Sequence, residues 1–204
     1  MRPVHLIEIG ASAGALLRVD RYRYVLGGRQ FGDPRSPVEI DAAWHGDRPV
    51  PDLDAVPPLA SVTGVDLNPL DAANADDRHW LEALIWPENR YEADLLRRAD
   101  VDSVAGDDAR RVGSDDSECP ALAADLPPDE PRVVFHSMTR MHVPADRLAA
   151  FDAAIGALGR NAPLFWLSLE GQGELDLRGP DGSLSHRARV GGRIEWVEPL
   201  VRLA

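Results

Sequence analysis

An apolar strand followed at once by two closely spaced glycines is the feature that most restricts what this chain can fold into. Val4–Ile9 is short, largely apolar and partly β-branched, which predicts a buried strand. The glycines of Gly10-Ala11-Ser12-Ala13-Gly14 allow the backbone to turn sharply and to approach a ligand closely. Ala15-Leu16-Leu17 then has the pattern of a helix opening, whose first N–H groups have no partner within the helix. This order predicts a pocket for a nucleotide-like cofactor above the turn.

The rest of the chain alternates between strand and helix patterns. Further strands are predicted at 61–65, 101–105, 132–136 and 164–167, and helices after Asp77, at 90–100 and at 144–159. From residue 173 onward, short alternating runs at 174–177 and 194–197 flank a turn at 180–183, which is typical of antiparallel strands. We therefore expect an α/β, Rossmann-like fold, with a mainly parallel sheet flanked by helices and an antiparallel C-terminal edge.

Residues 1–204 are expected to form one domain with two excursions. Residues 22–60 are rich in Gly, Pro and Asp and alternate only at 38–42, which predicts a hairpin or loop insertion. Residues 113–131 are acidic and rich in proline, which predicts a surface loop. The helix after Asp77 carries a one-sided apolar stripe formed by Trp80, Leu81, Leu84 and Ile85. Such a stripe usually faces a core, whereas exposed aromatic side chains around Trp80, Trp86 and Tyr91 would indicate an interaction module.

Charge and composition exclude several classes of function. The net charge of −12 argues against nucleic-acid binding, which needs cations to neutralise phosphates. All 22 basic residues are arginine, so lysine chemistry is excluded. Cys119 is the only cysteine, and neither a signal peptide nor an apolar run of about 20 residues is seen, so no membrane attachment and a cytoplasmic location are expected. The six histidines lack the spacing of metal ligands, so no metal is expected.

Acidic residues follow three of the predicted strands in succession. Glu8 lies near the end of the first strand, Asp66 follows the second and Asp107 follows the third. In open α/β sheets ligands bind at this edge, although a single acid after a strand is more often a helix N-cap. Ser12 stands where a dinucleotide fingerprint has its second glycine, which favours a cofactor without a diphosphate at this turn.

These residues carry a resemblance to class I S-adenosylmethionine-dependent methyltransferases. The series E-x-G-x-x-x-G, G-V-D-L-N-P and G-D-x-A, read from Glu8, Gly64 and Gly106, resembles their cofactor motifs. The resemblance implies that Glu8, Gly10 and Gly14 flank the methionine part of S-adenosylmethionine, with Ser12 in the same turn. It also implies that Asp66 binds the ribose and that Asp107 lies near the adenine. The 56 residues from Gly10 to Asp66 exceed the usual spacing, so 22–60 is expected to be inserted.

A second resemblance covers nearly the whole chain. IEIGASAG, GVDLNPLDAAN, VVFHS and FWLSLEG resemble segments of an uncharacterised bacterial family, the domain-of-unknown-function 2332 family. That family is thought to have a methyltransferase-like fold. Its members usually carry a helical region before the first strand, and this chain begins at that strand. The resemblance thus implies that a segment over the pocket is missing, and apolar surface exposed by its loss would favour a homodimer.

Three functions remain open at this point. The first is binding of S-adenosylmethionine and methyl transfer to a small acceptor, with His136 as the base, although His136 is equally well a structural histidine. The second is a truncated or degenerate Rossmann module that binds a small-molecule ligand or a partner without catalysis. The third is a serine hydrolase, because GASAG fits G-x-S-x-G and Ser12 precedes acids and histidines. Only nine residues precede Gly10, however, which leaves no source for an oxyanion-hole loop.

Overall fold

The computed structural model describes residues 2–44, 49–99, 109–113, 122, 124–170, 174–180, 184–190 and 194–195. The strands within these ranges belong to two sheets. In chain order they are β1 (Val4–Ile9), β2 (Arg23–Leu26), β3 (Arg29–Gly32), β4 (Glu39–Ala42), β5 (Leu59–Asp66), β6 (Ala109–Gly113), β7 (Arg132–Ser137), β8 (Leu164–Glu170), β9 (Glu174–Arg178), β10 (Leu184–Val190) and β11 (Ile194–Glu195).

The larger sheet has eight strands in the order β11-β10-β9-β8-β7-β1-β5-β6. Strands β8, β7, β1 and β5 are mutually parallel, and β6 continues parallel to β5. Strands β9, β10 and β11 are antiparallel to their neighbours. The predicted α/β fold with a parallel sheet is therefore confirmed, and β1 lies between two parallel partners in the middle of it. The third parallel strand along the chain is β6, at Ala109–Gly113. The predicted strand at 101–105 falls outside the described residues.

The excursion at 22–60 contains a small sheet of its own. Its order is β3-β2-β4, with β2 antiparallel to β3 and parallel to β4. The alternating run at 38–42 is the origin of β4, but the segment forms a mixed three-stranded sheet where only a hairpin or loop was expected. Tyr22 and Val38 pack with Ala13, so this sheet adjoins the glycine turn.

Among the described residues, three α-helices of nine or ten residues accompany the large sheet: α1 (Ala75–Ala83), α2 (Arg90–Arg98) and α3 (Leu148–Ala157). Helix α1 begins at Asn74, whose side-chain oxygen accepts hydrogen bonds from the N–H groups of Asp76 and Asp77. Helix α3 starts four residues later than expected because Pro144 and Arg147 close a separate turn before it. The segment after the glycine turn is a 3-10 helix, Ala15–Arg21, with a kink at Arg18.

The two faces of the sheet are covered differently. On one face Ile7 and Val134 pack against Phe151, Ile155 and Leu158 of α3 and its end, all almost fully buried. Leu122 joins this core, so the predicted surface loop at 113–131 contains a buried residue. On the other face, the core consists of Leu6 and Val62 packed against Ala11 and Leu17.

The apolar stripe of α1 faces a core less completely than its spacing in the sequence predicts. Leu81 packs on the cluster around Tyr22 and Val38, but Trp80 and Leu84 are 59% and 60% exposed. Only one side of the stripe therefore faces a core. No helix in the described part of the chain is long and apolar enough to cross a bilayer.

Candidate functional site

The glycine turn folds back over the end of β5. Gly10, Ser12 and Gly14 have φ values of 81°, 50° and 78°, so three residues of five are in the left-handed region. The N–H groups of Gly10 and Ala11 both donate to the Val65 carbonyl, at 2.7 and 3.2 Å. The carboxyl end of β1 and that of β5 are thus fastened together at the edge where α/β sheets bind ligands.

Gly10 is required by a contact within the protein. A Cβ atom at this position would lie 2.2 Å from Thr139 Oγ1, in the loop after β7. The Thr139 hydroxyl lies 3.1 Å from the Ile9 carbonyl and 3.2 Å from that of Ser137. The expected close approach above Gly10 is therefore made by Thr139, and any ligand lies beyond this contact.

Ser12 and Asp66, both predicted as site residues, are in direct contact. The Ser12 N–H donates to Asp66 Oδ2 at 2.7 Å, and the Asn68 N–H donates to Oδ1 at 2.8 Å. Each carboxylate oxygen has thus accepted one hydrogen bond and has capacity for about one more. Asp66 consequently shapes both loops and still has acceptor positions for a ligand.

Glu8 is the most unusual group at this edge. The residue is only 4% exposed, and its Oε2 atom has no hydrogen-bond partner among the described residues. Burial, and secondarily the nearby Asp66 carboxylate, raises the pKa of Glu8 from 4.5 to about 8. Removing such a group from water without a hydrogen bond costs on the order of 1–3 kcal/mol. Glu8 therefore does not stabilise the fold, and its presence here indicates a functional role.

Tyr22 lies close to Glu8 on the side of the small sheet. Its hydroxyl donates to the Ala15 carbonyl at 2.5 Å, which ties the 3-10 helix to the start of β2. Burial raises the pKa of Tyr22 to about 12, and the proximity of Glu8 contributes to the increase. Tyr22 therefore stays protonated in the neutral pH range.

His136, the predicted base, is buried in the middle of a hydrogen-bond chain. The Trp166 indole N–H donates to Nε2 at 2.9 Å, so the proton is on Nδ1, which donates to Glu170 Oε1 at 2.6 Å. Burial lowers the pKa of His136, and the contact with Glu170 offsets this only in part. The ring is neutral at pH 7 and uses both nitrogens within the protein, as expected of a structural histidine.

Glu170 binds the loop that follows β7. It accepts hydrogen bonds from the N–H groups of Thr139, Arg140 and Met141 at 2.9–3.1 Å, in addition to the one from His136. Partial burial would raise the pKa of Glu170, but these hydrogen bonds outweigh it and the pKa is lowered. Glu170 was missed at the level of sequence, although it is the last residue of an apolar strand and Glu8 lies at a similar place, one residue before the end of β1.

The other predicted groups are placed as follows. Asp107 lies outside the described residues. The Ser12 hydroxyl makes no hydrogen bond to a histidine in the part of the chain that the structure describes. Among the same residues, no group of three or more His, Cys, Asp or Glu side chains is arranged to hold a metal ion.

A comparison with protein families identifies the kind of protein. The family described as "Uncharacterized protein conserved in bacteria (DUF2332)" matches residues 1–198. The chain belongs to this family. No curated protein and no solved structure matches the chain significantly.

The segments that carry the DUF2332 resemblance meet in pairs. A hydrogen bond between Ser12 and Asp66 joins the segment IEIGASAG to the segment GVDLNP. Hydrogen bonds of His136 with Trp166 and Glu170 join VVFHS to FWLSLEG. Both contacts lie at the carboxyl ends of the parallel strands. The four sequence segments that resemble the DUF2332 family thus together form one edge of the sheet.

Proposed function

We propose that this DUF2332 protein binds S-adenosylmethionine at the carboxyl ends of β1 and β5, in a Rossmann-like, methyltransferase-like fold. The strand order supports the fold. Counted along the chain, the five parallel strands of the described residues lie in the order 3-2-1-4-5, which matches the first five positions of the 3-2-1-4-5-6 order of dinucleotide-binding sheets. In such sheets the ligand lies beside the first strand, where the order reverses.

The unpartnered carboxyl group of Glu8 is the observation that carries the proposal. A buried acid without a partner becomes a carboxylate when a cation approaches, because the opposite charge offsets the cost of burial. S-adenosylmethionine brings two cations, its ammonium and its sulfonium group. Glu8 meets the positive part of this ligand, and the free acceptor positions of Asp66 meet its ribose hydroxyls.

Two features favour this cofactor over a dinucleotide. The Ser12 N–H, which would face a diphosphate, already donates to Asp66. The 3-10 helix after the turn has only seven residues and a kink, so it lacks the aligned N–H groups and dipole of a regular α-helix that diphosphate sites use.

The reaction on this proposal is transfer of the sulfonium methyl group to a small acceptor, with proximity and alignment as the main contribution. The protein's part is to bind and orient the two ligands. Because both nitrogens of His136 are hydrogen-bonded within the protein, we assign His136 a structural role, in which it helps to hold the loop after β7. When the acceptor gains the methyl group, it loses its own proton to solvent.

Isothermal titration calorimetry with S-adenosylmethionine at pH 7 tests the proposal. In buffers of different ionisation enthalpy, the wild type should release about one proton on binding, because Glu8 with a pKa near 8 is mostly protonated before it. Glu8→Gln should bind without proton release. Asp66→Asn should bind roughly 10- to 100-fold more weakly.

Glu88→Gln is the matched control, because Glu88 is exposed and its side chain has no partner among the described residues. It should bind like the wild type. Thermal melting of each variant separates loss of binding from loss of folding. No binding by folded wild type at millimolar ligand contradicts the proposal and favours the non-catalytic module. Equal proton release by Glu8→Gln would remove Glu8 from the site.

A further inference from the structure

Helices α1 and α2 leave a large aromatic side chain in solvent. Neither helix contributes a fully buried side chain, although Leu81 and Leu95 pack on the cluster beneath them. Trp86, in the connection between the two helices, is 75% exposed. Tryptophan at a surface is characteristic of the centre of protein interfaces.

A cavity of about 400 Å³ opens beside Trp86, between α1 and α2. Ile85, Trp86, Pro87 and Ala93 form its apolar part. Its volume is within the range of roughly 300–1,000 Å³ that ligand-sized groups occupy, so it accommodates an indole ring. The cavity lies on the α1–α2 pair, and Glu8 and Asp66 do not line it.

The charged residues around this cavity are balanced. Two acids, Glu82 and Asp94, face two arginines, Arg90 and Arg97. Arg97 is paired with both acids, at 3.7 and 2.6 Å, whereas Arg90 makes no ion pair within the described residues. The chain as a whole has a net charge of −12, whereas this surface has equal numbers of acids and arginines, so a second copy can approach it without the repulsion that the net charge causes.

We propose that this surface, defined by Ile85, Trp86, Pro87 and the four charged residues, is a self-association site for a second copy of the chain. The two copies are related by a two-fold axis, and Trp86 of each enters the cavity of the other. Such an interface must be self-complementary, and a charge-balanced lining next to an exposed indole satisfies that requirement. Arg90 of each copy then faces the acids of the other.

The size of the surface sets the expected strength. Helices of nine residues are only about 14 Å long, so their joint face covers much less than the roughly 800 Å² per partner of a standard interface. We therefore expect a weak dimer with a dissociation constant in the micromolar range or above.

Sedimentation equilibrium from roughly 5 to 500 µM tests the proposal. The wild type should shift from monomer to dimer over this range. Trp86→Ala should weaken the dimer at least tenfold, because a central tryptophan usually dominates such interfaces. Arg90→Glu should do the same, because each surface then has three acids and one arginine, and like charges face each other across the two-fold axis. Both variants change exposed side chains, and circular dichroism verifies that they fold.

Trp80→Ala is the matched control. Trp80 is also exposed but lies about 200° around α1 from Glu82, on the side away from the cavity. It should leave the dimer unchanged. A wild type that stays monomeric throughout, or equal effects of Trp80→Ala and Trp86→Ala, would overturn the proposal. Neither result would affect the Glu8 site, which is measured separately by calorimetry.

Discussion

At the scale of single residues, the contact between Gly10 and Thr139 is the tightest requirement. Gly10 has a φ of 81°, which costs alanine roughly 1–2 kcal/mol, and a Cβ atom there would overlap Thr139 Oγ1. We expect Gly10→Ala to lower the free energy of unfolding by about 3 kcal/mol or more. In a Thr139→Ala background, only the backbone strain should remain.

Urea unfolding of the wild type, the two single variants and the double variant measures this coupling. The cost of Gly10→Ala should be lower by roughly 2 kcal/mol when Thr139 is alanine. An equal cost in both backgrounds would mean that the backbone angle alone explains the glycine. Ser12→Ala is a useful control for the turn, because its hydroxyl does not take part in the Gly10 contact.

The residues of β1 and its turn show how far sequence reaches at this scale. Glu8, Gly10, Ser12 and Asp66 were all predicted from their places at strand ends, and the structure brings Ser12 and Asp66 into contact. The role of Thr139 was not predictable in the same way. Its contact with Gly10 depends on β7 lying next to β1, which is a property of the sheet order and of no local pattern.

At the scale of elements, the loop after β7 is ordered by the end of β8. Glu170 accepts three consecutive backbone N–H groups and the His136 ring. We expect Glu170→Ala to cost about 3 kcal/mol of unfolding free energy, because four donors lose their acceptor together. Glu170→Gln keeps one acceptor oxygen and should cost roughly half as much. Chemical denaturation measures both.

Amide hydrogen exchange identifies the cause of that loss. Exchange at Thr139, Arg140 and Met141 should accelerate in Glu170→Ala. Asp152→Ala is the control, because it removes the partly exposed ion pair of Arg140 with Asp152 and should cost less than about 1 kcal/mol. Unchanged exchange at Met141 in Glu170→Ala would show that the loop is held by other contacts.

Elements differ in how well sequence predicted them. The apolar strands β1, β7 and β8 were correct because their runs leave few alternatives. The helix after Gly14 became a 3-10 helix, since Leu17 bonds back to Gly14 three residues earlier. The stripe of α1 was only half right, because periodicity gives the apolar side of a helix but not how much of it the neighbours cover.

At the scale of the whole molecule, three groups among the described residues, the buried Glu8 and His136 and the partly buried Glu170, bind protons differently in the folded and unfolded states. Glu8 has a raised pKa, near 8 against 4.5, so the folded protein holds an extra proton between these values. His136 has a pKa lowered from 6.5, and Glu170 one lowered from 4.5, so for these two the unfolded chain is protonated first as the pH falls. Stability changes with pH wherever these proton numbers differ.

The three groups together predict an asymmetric pH profile. As the pH falls from about 8 to 6.5, only Glu8 contributes, and stability should rise by up to about 1.4 kcal/mol per pH unit. Below pH 6.5, His136 is protonated in the unfolded chain but stays neutral in the folded protein. This difference offsets the contribution of Glu8, so the free energy of unfolding should reach a plateau. Below about 4.5, Glu170 makes stability fall.

Denaturant unfolding of wild type and Glu8→Gln from pH 4 to 9 measures the profile. The variant lacks the proton of Glu8, so its stability should be flat between pH 8 and 6.5 and should decline below that. At pH 8 it should be the more stable protein, because the cost of ionising a buried, unpaired carboxyl group is gone. Saturation with S-adenosylmethionine should abolish the difference in slope, since Glu8 is then a carboxylate with a cation beside it. A wild type whose stability is as flat as that of Glu8→Gln from pH 6.5 to 8 would show that Glu8 is already ionised when no ligand is bound.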